Sequence, residues 1–272
     1  MRSGVLRTIT ALPTLLRIGV AETVAYRAEF LVWILTMTQP LIMLGLWTRV
    51  AAEAPFGSDT HTYSPEEFVA YFLATLIVRQ LTGNWVAWQM SEDVRSGAMA
   101  MRLLRPIHPF FAYAANHAAS IPFRSVIALP IAIVLLASSG ASVLSTDPWQ
   151  LVLVVPSLML AWLITFAFLF AIGSLAFFVT QTMAITELYF ALFSLFSGYI
   201  LPLDLLGPVA PLASVLPFRF MLSAPVELLT RSLDAAALAR ILGGQLAWAA
   251  IMLAAALVLW RTGVKRFESV GG

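Results

Sequence analysis

Residues 151–179, LVLVVPSLMLAWLITFAFLFAIGSLAFFV, contain no charged side chain. A hydrocarbon core about 30 Å thick needs roughly 20 apolar helical residues to cross it, and this run exceeds that length. It is apolar on every face, so no polar stripe is left for water. A backbone at membrane depth must satisfy its own hydrogen bonds, which selects helix over irregular chain. A transmembrane β-barrel would instead alternate apolar and polar residues in segments of about ten. The rest of the chain agrees: 60% of its 272 residues are hydrophobic and 11% charged, with a mean hydropathy of +0.89. Soluble domains carry about 25% charge. The expected fold is an all-α polytopic membrane protein.

Six spans are expected within a single domain: 28–49, 67–89, 113–139, 150–178, 187–203 and 241–260. The connection AAEAPFGSDTHTYSPEE between the first two holds four acids and no Lys or Arg, and GASVLSTDP between the third and fourth is also free of bases. Arg2, Arg7, Arg17 and Arg27 precede the first span, Arg95, Arg102 and Arg105 follow the second, and Arg261, Lys265 and Arg266 end the chain. By the positive-inside rule both termini and the 90–112 connection are cytoplasmic. Leu6, Ile9, Leu12, Leu16, Val20 and Val24 recur at helical spacing while Arg7, Thr10, Thr14, Arg17 and Ala21 recur on another face, which describes an amphipathic interfacial helix over 1–27. Arg7 and Arg17 interrupt any signal-peptide core there. Residues 204–240 are apolar yet broken by Pro208, Pro211, Pro217 and Pro225, the pattern of short outer re-entrant helices covered by protein.

Several function classes are excluded or unsupported. The only lysine, Lys265, lies between Val264 and Arg266, so no phosphate-binding loop exists. Cysteine is absent, which removes disulfides and thiolate chemistry. His61, His108 and His117 have no metal-ligand spacing, and no G-x-S-x-G occurs. Glu66 and Glu67 read as helix-start acids. The net charge of +2, spread over loops, does not suit nucleic acid. Neither a catalytic residue nor a metal is assigned.

Polar residues within spans are costly and therefore informative. Gln39, Arg79, Asn84, Glu187 and Tyr199 are the candidate substrate-pathway residues. Arg79 demands a carboxylate or an aqueous cavity, with Glu187 or Glu29 as candidate partners. A structural ion pair fixing helix register is the competing reading.

The connection after the second span reads QMSEDVRSGAMAMRLLRPIHPFF. Ser91, Glu92 and Asp93 carry the residue types of a helix start, Arg102 and Arg105 those of a helix end, and Pro106 a stop. A short helix of about three turns is expected, and Met99, Met101, Leu103 and Leu104 among fixed charges suggest docking onto another protein.

SGAMAMRLLRPIHP between spans two and three, with SGYILPLDLLGPVAPLASVLPFRFMLSAPVELL after span five, resembles the ABC-2 family of ATP-binding-cassette permeases over nearly the whole chain. The resemblance implies the transmembrane subunit of a bacterial exporter that moves a hydrophobic or amphipathic substrate outward. Two permease chains, identical or related, form the pathway in the cytoplasmic (inner) membrane. Two copies of a separate cytoplasmic ATPase bind ATP and Mg, so this chain holds no cofactor of its own. It also implies that the 90–108 segment is the coupling helix seated on the ATPase, here Glu92 to Pro106 with Glu92, Asp93, Arg95, Met99, Arg102, Leu103, Arg105 and Pro106. A secondary transporter, a membrane scaffold and a lipid-processing enzyme are the alternatives. The first of these lacks paired intramembrane acids and visible repeats here.

Overall fold

The computed structural model describes residues 13, 14, 16, 17, 38–54, 56–58, 61–139, 141–179 and 182–267. The expected 1–27 helix, apart from the helical residues 13, 14, 16 and 17, lies outside them, as do residues 28–37 of the first span, with Glu29, and Gln181. The architecture is all-α; the sole strands among the described residues are a two-residue hairpin, β1 Phe56–Gly57 and β2 Thr62–Tyr63.

The helices follow in order: α1 Thr38–Glu53, α2 Pro65–Thr82, α3 Val86–Arg95, α4 Ala98–Leu103, α5 Pro109–Ser139, α6 Pro148–Ser174, α7 Met183–Phe196, α8 Ala210–Val215, α9 Pro217–Met221, α10 Ser223–Thr230 and α11 Ala235–Val264. Short 3₁₀ segments cover Ala141–Val143, Leu175–Phe177 and Leu203–Val209. The long helices begin where the chain supplies caps. Ser64 accepts from the Glu67 amide at 3.2 Å while Glu67 accepts from the Ser64 amide at 2.7 Å. This is a closed capping box, with Pro65 at the first helical position beside it. Asp147 caps α6 ahead of Pro148, and Asp234 caps α11.

Helix α6 is the axis of the bundle: α11, α3, α10, α9 and α2 all pack on it, and α5 and α1 pack on α2. Phe166 and Phe170 of α6 are fully buried against Phe110 of α5, with ring centroids 5.2 and 5.0 Å away. Lipid offers no hydrophobic drive for helix association, so close van der Waals approach at small residues carries it. A Cβ on Gly173 of α6 would sit 2.9 Å from the Met90 Cβ of α3, and one on Gly244 of α11 would run into the Phe220 ring of α9.

Among the described residues, two helical stretches are long and apolar enough to cross a membrane, Pro148–Phe177 and Ala235–Val264. A third qualifies if the bent pair Pro109–Val126 and Ala128–Ser138, at 55°, counts as one span. The bend has a local cause: Pro130 cannot donate to the carbonyl four residues back, Val126, and its ring crowds it.

The helices depart from the expected ranges in three segments. The 67–89 helix is split, because Gly83, Asn84 and Trp85 leave helical geometry between α2 and α3. The 187–203 span begins earlier and ends at Phe196, where Ser197 and Gly198 turn the chain. With 14 residues, α7 falls about a third short of the roughly 20 that a full crossing needs. The 204–240 segment holds a 3₁₀ turn and three short helices, divided where Pro208, Pro211 and Pro217 restart the backbone. Its last residues, from Ala235, already belong to α11.

Candidate functional site

The break after α2 is the first place where the polar residues converge. A helix ending inside a bundle leaves its last carbonyls without partners. Arg124 of α5, 2% exposed, answers this by donating to the carbonyls of Gly83 and, at 3.3 Å, of Leu81. Asn84 is equally buried, and its Oδ1 accepts from the Val86 amide at 3.4 Å. Its Nδ2 has no partner among the described residues. Trp85 fills the break and packs on Phe190 of α7, 5.6 Å between centroids.

Arg79 lies one turn before the break with its guanidinium beside Gly83. It is half-buried and sits over two aromatic faces, Phe193 at 5.2 Å and Tyr199 at 5.9 Å. Such faces attract a cation through the ring quadrupole. The expected Glu187 partner is not there: Glu187 lies exposed in the first half of α7, and no described carboxylate is within ion-pair distance of Arg79. Of the five pathway candidates, the fold joins Arg79 with Tyr199 and places Asn84 at the same break. Gln39, half-buried on α1, and Glu187 stand apart from them.

The second place is the elbow formed by α3 and α4. The single helix expected from Glu92 to Pro106 is two helices, because Gly97 takes a φ of 79°. That left-handed conformation is open to glycine and strained for other residues. Ser91 caps nothing: its hydroxyl donates to the Ala87 carbonyl at 2.8 Å and meets the Thr182 hydroxyl at 2.6 Å. Glu92 and Asp93 therefore close α3 instead of opening a helix. Acids in a last turn oppose the helix dipole, and each is offset by a guanidinium. Arg95 pairs with Glu92 at 2.6 Å in solvent, and Arg102 of α4 folds back onto Asp93 at 2.7 Å. Tyr113 of α5 also donates to Asp93, and Arg102 lies 4.7 Å over its ring. Asp93, Arg102 and Tyr113 thus lock α3, α4 and α5 together. Met99 is fully buried and Leu103 half-buried. What the elbow presents outward is Arg95, Met101, Leu104, Arg105 and Pro106, with Leu104 79% exposed.

Sequence reasoning missed a third cluster. Asp204, Arg219, Ser223, Glu227, Arg231 and Tyr71 line a cavity of about 290 Å³ beneath α8 to α10. Arg219 pairs with Glu227 at 2.9 Å, and Ser223 donates to Glu227 at 3.0 Å. Arg231 pairs with Asp204 at 3.1 Å and donates to Tyr63, whose hydroxyl donates to Asp204 at 2.7 Å. Burial is the main reason the Tyr63 phenol is pushed well above its ordinary range, so it stays a donor. The only signal available in the sequence was the spacing of charges among the prolines.

Two glutamines were missed as well. Gln150, 1% exposed, donates to the carbonyls of Leu228 at 2.8 Å and Arg231 at 2.6 Å and accepts from Leu233 at 3.1 Å, finishing the end of α10. Gln245 donates to the Ser157 and Phe220 carbonyls at 3.0 and 3.1 Å, finishing α9. A lone glutamine in an apolar helix was the available sign.

Among the curated proteins and among the solved structures, nothing matches the chain. A family model described as ABC-2 family transporter protein matches residues 29–271. That match covers the break, the elbow and the charged cavity, and with the apolar helices it makes this multi-pass membrane protein a transport component that belongs to the ABC-2 transporter family.

Proposed function

We propose that the chain is the permease subunit of an ATP-binding-cassette exporter, docked through the α3–α4 elbow onto a separate cytoplasmic ATPase that binds ATP and Mg. The proposed arrangement has six spans with both termini cytoplasmic in a bacterial inner membrane. Two permease chains, identical or related, and two ATPases complete it. The observation that carries this reading is the elbow itself. A partly buried Asp93–Arg102–Tyr113 lock makes it rigid, while Arg95, Met101, Leu104 and Arg105 face outward as mixed apolar and basic contacts.

A rigid elbow transmits force because a push on α4 is delivered through Asp93 to α3 and through Tyr113 to α5. The α3 helix in turn bears on α6 at Gly173. Closure of two ATPases on ATP shifts the bundle only if their contacts with the elbow differ between the open and closed states. Movement of a hydrophobic or amphipathic substrate outward follows from that shift, with Arg79 and Tyr199 on the pathway.

The test is affinity purification of the full chain from native membranes, with hydrolysis and export measured on the recovered complex. A Leu104→Asp, Arg105→Glu variant is expected to insert and unfold like the wild type, yet to recover about tenfold less ATPase, the loss of about 1.4 kcal/mol of docking. Arg102 is unsuitable for this purpose because its charge is used inside the chain. Wild-type recovery of an ATPase and wild-type export by the double variant would sink the proposal.

A further inference from the structure

We propose that the break between α2 and α3 is a station for an oxyanion, so that the transported amphiphile carries a phosphate, sulfate or carboxylate; this rests on the permease reading above. Arg79 is a half-buried guanidinium in the bundle, set over two aromatic faces, with no described carboxylate in reach. On the permease reading, a charge inside the bundle that no described acid neutralises marks a ligand path. At the same break, the buried Asn84 amide has an Nδ2 without a partner among the described residues, a group that can only donate, while its Oδ1 is already engaged by Val86. A second guanidinium, Arg124, sits on the carbonyls of the same break and adds to its positive field.

Among the described residues no acid neutralises Arg79 and nothing accepts from Asn84 Nδ2, and an oxyanion supplies what both lack. A cationic cargo would be repelled by Arg79, and a neutral one could pair with Asn84 Nδ2 but would leave the Arg79 charge unmatched. Phe193 and Tyr199 flank the guanidinium with apolar rings, which suits a charged group attached to a hydrophobic body.

The experiment titrates the full chain, in neutral maltoside micelles, with dodecyl phosphate and with dodecyl trimethylammonium. Binding is followed through tryptophan emission, since Trp85 lies in the break. Dodecyl phosphate is expected to bind saturably and dodecyl trimethylammonium not to. Arg79→Gln is expected to weaken phosphate binding by about tenfold or more, and Arg79→Lys by less. Asn84→Asp places a like charge in the station and is expected to weaken it at least as much, which keeps the test decisive if one variant fails to fold. Equal affinity in Arg79→Gln and Asn84→Asp to that of the wild type, or equal binding of the cation, overturns the proposal.

The same probe added to the purified complex is expected to stimulate ATP hydrolysis in the wild type and not in Arg79→Gln. Binding without stimulation assigns the station to a resident anionic lipid and overturns the cargo assignment. Failure to recover any ATPase overturns the permease reading instead, and leaves the binding result on the isolated chain standing.

Discussion

Replacing Gln150 by Leu tests whether broken helix ends within the bundle are held by side-chain amides. Leu has a similar volume, so packing loss is small and the effect isolates three hydrogen bonds. The Leu228 carbonyl is on a buried residue and gains no substitute partner; leaving it bare costs about 1–3 kcal/mol. The Arg231 carbonyl and Leu233 amide belong to half-buried residues that water can reach, and their bonds are worth about 0.5–1 kcal/mol each. Together these give a loss of about 2–5 kcal/mol. Gln150→Glu keeps the acceptor for Leu233 but turns an acceptor toward the two carbonyls, so it is expected to destabilise at least as much. The assay is reversible unfolding of the purified chain in mixed micelles with increasing denaturing detergent, read by helical circular dichroism. A loss below about 0.5 kcal/mol for Gln150→Leu, within the range of ordinary surface changes, would refute the reasoning.

Gly244→Ala drives a methyl into the Phe220 ring; it is expected to cost about 1–3 kcal/mol in the same assay, with partial recovery on adding Phe220→Leu. Arg102→Glu strands Asp93 beneath a like charge and is expected to lower both stability and yield. Arg95→Glu, at the solvent-exposed pair, changes stability by less than about 1 kcal/mol. His108 accepts from the Phe110 amide through Nδ1 at 3.2 Å, and burial and Arg261 hold its pKa below the ordinary 6.5. The folded state therefore binds fewer protons than the unfolded one, so this contribution is full above 6.5 and is lost as pH falls through that value toward the depressed one. Unfolding followed from about pH 7.5 to about pH 5 should show a step that His108→Asn, a cap that does not titrate, removes.

The sequence made the helical class and the apolar spans legible because lipid leaves few alternatives, and the helix start at Glu66 and Glu67 followed from residue type alone. Its errors share one cause. Along 67–89 the apolar pattern continues through Gly83 and Asn84, so hydropathy saw one helix where the backbone stops. Across 92–106 the acid-first, base-last order imitated a capped helix, and Ser96-Gly97 was the stronger signal, since a left-handed residue divides a helix whatever charges flank it. Arg102 looked like a docking charge because nothing local reveals that Asp93 and Tyr113 meet it. The Arg219–Glu227 and Arg231–Asp204 pairs were illegible for a similar reason: the 3₁₀ turn and short helices after α7 have to fold before their charges face one cavity.

The buried polar side chains also sort themselves by what they leave over. Gln150 and Gln245 finish the ends of α10 and α9, and Arg124 finishes the end of α2. Each lies where a helix stops inside the bundle, as a lipid environment requires of irregular backbone. Thr82, Thr165, Ser174 and Thr230 return their hydroxyls to carbonyls four residues back and need no further account. Arg79 belongs to neither group, since it finishes no helix end and pairs with no described acid. If scaffolding through Phe193 and Tyr199 were its purpose, Arg79→Gln would cost stability as Gln150→Leu does and leave anion binding untouched. If recognition is its purpose, the losses fall the other way, so the two measurements together separate scaffold from pathway at a single residue.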